Sequence, residues 1–160
     1  MRRFSFVLIF LIFFIGCSTK GINIYIPYKN YKPSDIKVVD KRKNSQIVGY
    51  IYLKNKKVAD ITISSDLTKI IKAELSKRGV SKNIEVDIQK FFMTYDKSKL
   101  TKENSYATFV LFLKTPKSKK IIKIEESKWI NPLNSSKELE KFSKKIIFEA
   151  IDLIVKSLKR

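Results

Sequence analysis

The sequence predicts an α+β fold, a two-layer sandwich in which a mostly antiparallel sheet is covered on one face by two amphipathic helices. Several short segments alternate polar and apolar residues and are joined by polar turns, which is the pattern of antiparallel strands. Two longer segments instead place apolar residues at helical spacing, and each of these stripes needs a sheet face to cover.

Strands predominate in the first part of the chain. IKVVD (36–40) and IVGYIYL (47–53) flank a charged turn and are predicted to pair, and VADITIS (58–64) follows a second polar turn. Residues 22–33 alternate until Pro27, which predicts an edge strand or an extended arm lying on the domain. The tyrosines of this segment recur every third residue and suit a half-buried arm better than a ligand-binding ladder.

The segment SSDLTKIIKAELSKRG predicts the first helix. Its apolar residues share one helical face: Leu67, Ile70, Ile71 and Leu75. Ser65 or Asp66 can cap the first turn, and Gly79 follows the last turn, where a left-handed residue commonly ends a helix.

The alternating pattern then returns and predicts three antiparallel strands. Residues 84–88 alternate cleanly, but the apolar phase shifts by one in FFMTY (91–95), so a bulge is expected near Gln89 or Lys90. Residues 106–113 are apolar on both faces apart from Thr108, which predicts a central strand. KKIIKIEESKW follows as its neighbour.

A second helix is predicted from Ser135 to the end of the sequence. Its stripe consists of Leu139, Phe142, Ile146, Ala150, Ile151, Ile154 and Leu158. Ser135 and Glu138 have the spacing of a capping box, and Lys159 and Arg160 complement the helix dipole in the last turn. No stretch of this helix is free of charge for long enough to cross a membrane.

The amino terminus has the three parts of a secretory signal. Arg2 and Arg3 precede residues 4–15, in which Ser5 is the sole polar residue, and the small Gly16 follows. Because a membrane span takes about 20 apolar residues, this run is too short to be an anchor.

Cys17, the single cysteine, directly follows Gly16, and residues 14–17 therefore resemble a bacterial lipoprotein signal. Phe14 departs from the leucine usual at its position. The resemblance implies cleavage after Gly16 and lipidation of the Cys17 sulfur, and several acyl chains on one residue hold a protein stably to a bilayer.

Three regions are therefore expected along the chain. Residues 1–16 are the signal peptide, residues 17–33 the lipidated cysteine, tether and arm, and residues 34–160 a single α+β domain. Cleavage would leave 160 − 16 = 144 residues with a formal charge of +19 − 2 = +17.

So positive a chain suggests an anionic partner or surface. Of its 34 basic residues only five are arginine, and lysine favours a diffuse field over a specific phosphate site. Drift in an AT-rich genome explains the charge at least as well, and no nucleic-acid motif is present. The densest basic run, a candidate contact with an anionic surface, consists of Lys114, Lys117, Lys119 and Lys120.

The composition argues against an enzyme. With no histidine, the single cysteine has no imidazole to activate it as a nucleophile or to share a metal with it. General-base chemistry would fall to Asp, Glu, Lys or Tyr, and a metal site would need a cluster of carboxylates. The S-x-x-K spacing at Ser34 lacks a helix and partner motifs, and four scattered glycines cannot form a phosphate loop. We therefore expect no catalytic residue, cofactor or metal.

Several features together resemble the YajG-type lipoproteins of bacteria. They are the lipidation signal, V-V-D-K-R (38–42), Gly49 in the next strand, and the D-L-x-x-I-I-x-x-x-L-x-x-R-G helix (66–79). The resemblance implies the fold and the tether but no activity. The residue after Cys17 is Ser18, whereas an aspartate at this position retains some lipoproteins at the inner membrane. The serine therefore favours a location at the outer membrane, facing the periplasm.

Two functions of different classes are open. The first is an envelope lipoprotein that serves as a structural or protein-interaction module with an envelope protein as partner. The alternative is a lipid- or anionic-glycan-binding module that assists envelope lipid transport or assembly, with residues 109–113 bordering an acyl cavity. A similar element order in the lipoprotein partner of the lipopolysaccharide translocon and in auxiliary lipoproteins of lipid ABC transporters is an analogy of fold alone.

Overall fold

The computed structural model of the protein describes residues 20–29, 35–80 and 83–159. Within these ranges the chain has an α+β fold, with one mixed seven-stranded sheet that does not close into a barrel and two helices. The strands are β1 (Ile22–Ile24), β2 (Ile36–Asp40), β3 (Ile47–Leu53), β4 (Lys56–Ile63), β5 (Ile84–Asp96), β6 (Ser105–Lys114) and β7 (Lys119–Lys128). The helices are α1 (Leu67–Lys77) and α2 (Ser135–Leu158).

The sheet has the strand order β1-β4-β3-β5-β6-β7, and β2 also pairs with β5. Among the described strands, the pairs β1–β4, β2–β5 and β3–β5 are parallel and the other three pairs are antiparallel. The sheet is therefore mixed: half of these strand pairs are parallel, although the antiparallel pairs contain most of the paired residues. The β3–β4 hairpin reverses the chain, and the connection through α1 then places β5 on the far side of β3, running in the direction of β3.

The predicted pairing of β2 with β3 is wrong, because both strands lie in line along one edge of β5. β2 pairs with residues 84–88 of β5 and β3 with residues 93–96. The connection between them does not reverse the chain. Its Arg42 binds the Asp40 carboxylate in two places, at 2.9 and 2.6 Å, and donates to the Ser45 carbonyl at 2.8 Å. This clamp holds the connection while the chain keeps its direction.

The bulge predicted in β5 is confirmed, since the register with β6 shifts between Ile88 and Lys90. The buried side chains change phase there, from Ile84, Val86 and Ile88 to Phe91, Met93 and Tyr95. One inserted residue thus keeps both halves of a 13-residue strand facing the same core.

Part of the segment predicted as an edge strand or arm is an edge strand. β1 pairs in parallel with β4, and Ile22, Ile24 and Ile26 are buried in the common core. The exposed Tyr25 and Tyr28 lie outside that core, and Tyr31 is outside the described residues. This segment therefore contributes to the folded domain as well as to the predicted tether.

Both ends of α1 are capped as predicted. Asp66 accepts hydrogen bonds from the backbone of Thr68 and Lys69, and the predicted apolar face is buried. Gly79 has φ of 75°, and the next backbone N–H, of Val80, donates to the Leu75 carbonyl. This pattern closes the helix in a Schellman motif.

The predicted stripe of α2 is buried, with Leu158 at its partly buried end. The predicted capping box is wrong, because a 3₁₀ turn, Pro132–Asn134, precedes the helix and leaves Ser135 inside its first turn. The Glu138 carboxylate instead accepts from the Asn131 backbone at 3.4 Å. No helix in the described part of the chain combines the length and apolarity that a membrane span requires.

The backbones of β3 and β5 approach closely at Gly49. A Cβ atom at this position would lie 2.1 Å from the Met93 carbonyl oxygen, closer than any real contact. Gly49 therefore permits the pairing that places β3 against the central strand.

Gly49→Ala should lower the free energy of unfolding by about 3 kcal/mol or abolish folding, because backbone atoms must separate. Gly79→Ala is the matched control. It strains a positive φ but meets nothing within 4 Å, so it should cost only about 1 kcal/mol. Urea unfolding of the two variants measures the difference, and equal losses would contradict the close approach.

Candidate functional site

The four lysines of the predicted anionic-surface contact lie around the turn between β6 and β7. Lys114 and Lys119 are cross-strand neighbours, whereas Lys120 is paired with the buried Leu113 and faces the opposite side of the sheet. Lys117 lies in the turn itself and is exposed. The four side chains therefore do not converge on one site.

Lys114 belongs to an ion network with acidic residues of β5. Its ammonium lies 2.7 Å from Glu85 Oε1 and 2.9 Å from Asp87 Oδ2. Lys41 also reaches Asp87 Oδ2, at 3.0 Å, and Lys37 lies 3.2 Å from Glu85 Oε2. Because the Asp87 side chain is only 2% exposed, Lys41 and Lys114 compensate a buried charge, and Lys114 is bound to acidic residues of the chain itself instead of being free for an external anion.

The pKa values in this network shift as the contacts require. Burial acts to raise the pKa of Asp87, but hydrogen bonds from Lys114 and Lys41 outweigh it and lower that pKa. Hydrogen bonds from Lys114 and then Lys37 lower the pKa of Glu85, and the same acids raise the pKa of Lys114. Sequence reasoning missed this network, because IEVDI shows no signal that its aspartate is buried.

Lysines also cover aromatic rings on the face of the sheet that carries Asp87. Three contacts between an ammonium and a ring centroid join Lys57 to Tyr50, Lys90 to Phe92 and Lys114 to Phe112, at 3.8, 5.8 and 5.9 Å. The rings of Tyr50 and Phe92 also contact each other edge to face at 5.6 Å. This face is therefore shielded from water by its own lysine side chains.

The longest open edge in the described sheet is β7. This strand of ten residues pairs with β6 alone, so its outer backbone edge has no partner strand in the described part of the chain. Ile121 on this strand is 70% exposed. An unpaired edge with an exposed apolar side chain can accept another strand.

The strand that was proposed to border an acyl cavity packs its apolar side chains into the core. Phe109, Leu111 and Leu113 are essentially inaccessible and belong to the cluster that includes both helices. A shallow groove of about 290 Å³ lies elsewhere, between Tyr28 and the two helices. The described residues therefore offer the acyl-chain hypothesis no cavity along this strand.

The metal-binding and anchoring predictions concern acidic side chains and the amino-terminal segment. Among the residues that the structure describes, no three acidic or thiol side chains gather in a way that could hold a metal ion. Gly16 and Cys17, the predicted cleavage and lipidation residues, lie outside the described ranges.

Comparison with known proteins does not identify the chain. No protein-family model matches it, and no curated protein does. The chain is similar to a crystal structure described as that of an uncharacterized protein. The alignment covers 84% of this chain and 97% of the other chain, at 9% sequence identity and a TM-score of 0.45. That likeness is too weak to carry an argument about fold or function.

The lowered pKa values of Asp87 and Glu85 predict acid sensitivity. Such groups stabilise the fold above their unfolded pKa near 4, and this contribution is lost as pH falls through the lower folded pKa. Lys114→Met should lower the melting temperature at pH 7 by roughly 5 °C and flatten the pH dependence below pH 4. Lys117→Met is the control, at an exposed lysine that has no ion pair with any described residue, and identical profiles for the two variants would refute the network.

Proposed function

We propose that the protein is a lipid-anchored bacterial envelope protein whose domain binds a protein partner through the open edge of β7. The single observation that carries the interaction is this ten-residue edge, which has no partner strand in the described sheet and exposes Ile121. Backbone hydrogen bonds along such an edge supply affinity, and side chains such as Ile121 supply specificity.

The charge of β7 favours a different protein over a second copy. Lys119, Lys120 and Lys128 have no ion-pair partner among the described residues, and lysines along an edge oppose pairing with an identical edge. A strand that carries aspartate or glutamate would neutralise them. The expected partner is therefore an envelope protein with an acidic, extended segment.

The anchor is supported by the sequence pattern at Gly16 and Cys17. A location at the outer membrane, facing the periplasm, and kinship with YajG-type lipoproteins are parts of the same proposal. So is the finer architecture, a two-layer sandwich in which both helices cover one face of the sheet. It is supported by the single core cluster that alternate strand residues share with α1 and α2.

The alternative function, a lipid- or anionic-glycan-binding module, has less support. Its acyl cavity would need the strand that is packed into the core, and its basic turn divides its lysines between the two faces of the sheet. It would regain support if purified protein carried stoichiometric lipid and no protein.

Cys17→Ala should abolish fatty-acid labelling and leave the precursor uncleaved, because the acceptor sulfur is lost. Labelling with a radioactive or alkyne fatty acid, followed by mass measurement of the amino-terminal peptide, tests this. Ser18→Ala is the matched control and should label normally. Labelling that persists in the Cys17 variant would disprove the anchor.

A photo-crosslinking residue at Ser127, on the same face of β7 as Ile121, should capture one defined protein in intact cells. Ile121→Glu should reduce this capture about tenfold, because a charge then replaces the exposed apolar contact and repels an acidic strand. Leu153→Glu, at an exposed leucine of α2, is the control and should leave capture unchanged. Equal capture in both variants would exclude the β7 edge.

A further inference from the structure

One end of the sheet combines the point where the chain enters with an exposed apolar surface. β3, β5 and β7 finish at this end and β4 and β6 begin there, as their pairings require. β1 is parallel to β4 and therefore also begins toward it. In register, Ile22 lies level with Ile61, Gly49 and Met93, only three residues before β5 ends at Asp96. We call this end of the sheet, at which β3, β5 and β7 finish, the entry end.

Three large apolar side chains are exposed at the entry end. Leu100 lies in the β5–β6 connection and is 64% exposed, and Trp129 and Leu133, after β7, are 42% and 90% exposed. Leu133 is among the most exposed large apolar side chains in the described chain, and nothing in the core explains it. Because they belong to two neighbouring connections, the three residues form one surface at the tip of the sheet.

The two connections are fixed to each other by buried polar contacts. The Asn104 amide, 3% exposed, donates to the Ile130 carbonyl at 2.8 Å and accepts from the Ile130 backbone N–H at 2.7 Å. The Trp129 indole N–H donates to the Leu100 carbonyl at 3.0 Å. The indole is thus already satisfied, and its apolar ring can enter an apolar surrounding without losing a hydrogen bond.

Lysines surround this apolar surface. Those without an ion-pair partner among the described residues are Lys97, Lys99, Lys102, Lys128 and Lys137, and the β3–β4 hairpin adds Lys54 and Lys56 at the same end. Among the described residues of this end, Glu103 is an exposed acid and Asp96 and Glu138 are partly exposed, so the lysines outnumber the acids and the surface is positive. Tryptophan and leucine ringed by lysine is the composition of surfaces that lie in a membrane interface.

We propose that the entry end is a contact surface for an anionic bilayer, in which Leu100, Trp129 and Leu133 enter the interface and the surrounding lysines meet lipid headgroups. The orientation rests on the proposed anchor at Cys17. Two residues lie between Cys17 and Lys20, the first described residue, and the three residue steps that join them span at most about 11 Å. A lipid on Cys17 would therefore hold the entry end, and not the opposite end, against the membrane.

A bilayer suits this surface better than a second copy of the chain. Two copies would bring the same lysines together, whereas anionic headgroups neutralise each lysine near the surface. The basic turn around Lys117 lies at the opposite end of the sheet, where β6 ends and β7 begins. It would face away from the membrane, and it supplies a control of equal charge.

The single tryptophan of the chain, Trp129, reports on the contact directly. Full-length protein reconstituted into vesicles of phosphatidylcholine and phosphatidylglycerol, with brominated acyl chains, should show tryptophan fluorescence quenched at least twofold and shifted to the blue. Lys97→Gln, Lys99→Gln and Lys102→Gln combined should remove half or more of this quenching, because the headgroup attraction is lost. The control combines Lys117→Gln, Lys119→Gln and Lys120→Gln and should quench as the unaltered chain does.

Leu133→Ser provides a second variant that removes apolar contact at a fully surface-exposed position and should reduce the blue shift without lowering the melting temperature. Absence of quenching in anionic vesicles, or equal losses in the two triple variants, would overturn the proposal. The mass of the amino-terminal peptide separates this outcome from failure of the anchor. Quenching without acylation disproves the anchor alone, and acylation without quenching disproves the membrane contact alone.

Discussion

The pairing of β5 is the interaction on which the rest of the fold depends. This strand of 13 residues has β6, the next strand of the chain, along one edge and both β2 and β3, which are distant in sequence, along the other. Two local features make it possible. The bulge before Lys90 keeps both halves of β5 facing the core, and Gly49 lets the β3 backbone lie against Met93. The Asp40–Arg42 clamp then carries the chain from β2 to β3 along one edge.

The lysine content has a structural use that composition alone does not reveal. Lys114 and Lys41 neutralise the buried Asp87, and other lysines lie over the aromatic rings of the sheet face that carries it. Long aliphatic stems cover apolar surface while their ammonium groups stay in water. Part of the formal charge of +19 is therefore committed within the molecule, and only the remainder is available to partners.

Features determined by neighbouring residues could be predicted from the sequence. The face and caps of α1, the stripe of α2 and the bulge in β5 follow from periodicity, from Asp66 and from Gly79, and the structure contains them. Strand pairing could not be predicted, because alternation shows which residues share a face but not which strand lies beside them. The β2–β3 pair was wrong for this reason. The capping box was wrong because the Pro132–Asn134 turn moved the start of the helix.

The candidate surfaces show the same division. The basic turn was visible as a run of lysines, but its split between two faces and the removal of Lys114 into an ion network depend on register. Ile121 was recognisable as part of a strand but not as part of an open edge. The exposed Leu100, Trp129 and Leu133 are far apart in sequence from β1, and only the strand directions bring them to its end of the sheet.

The direction of β7 has a consequence for where a partner can bind. This strand runs toward the entry end, and its ten residues, at about 3.3 Å each, extend roughly 33 Å. With the entry end on a bilayer, β7 would extend away from the membrane. Lys128 would then lie near the headgroups, and Ile121 would lie near the end of the strand that is farther from the lipid. A strand that paired there would be held at a set height above the membrane, so the edge could bind a segment outside the bilayer but not one buried within it.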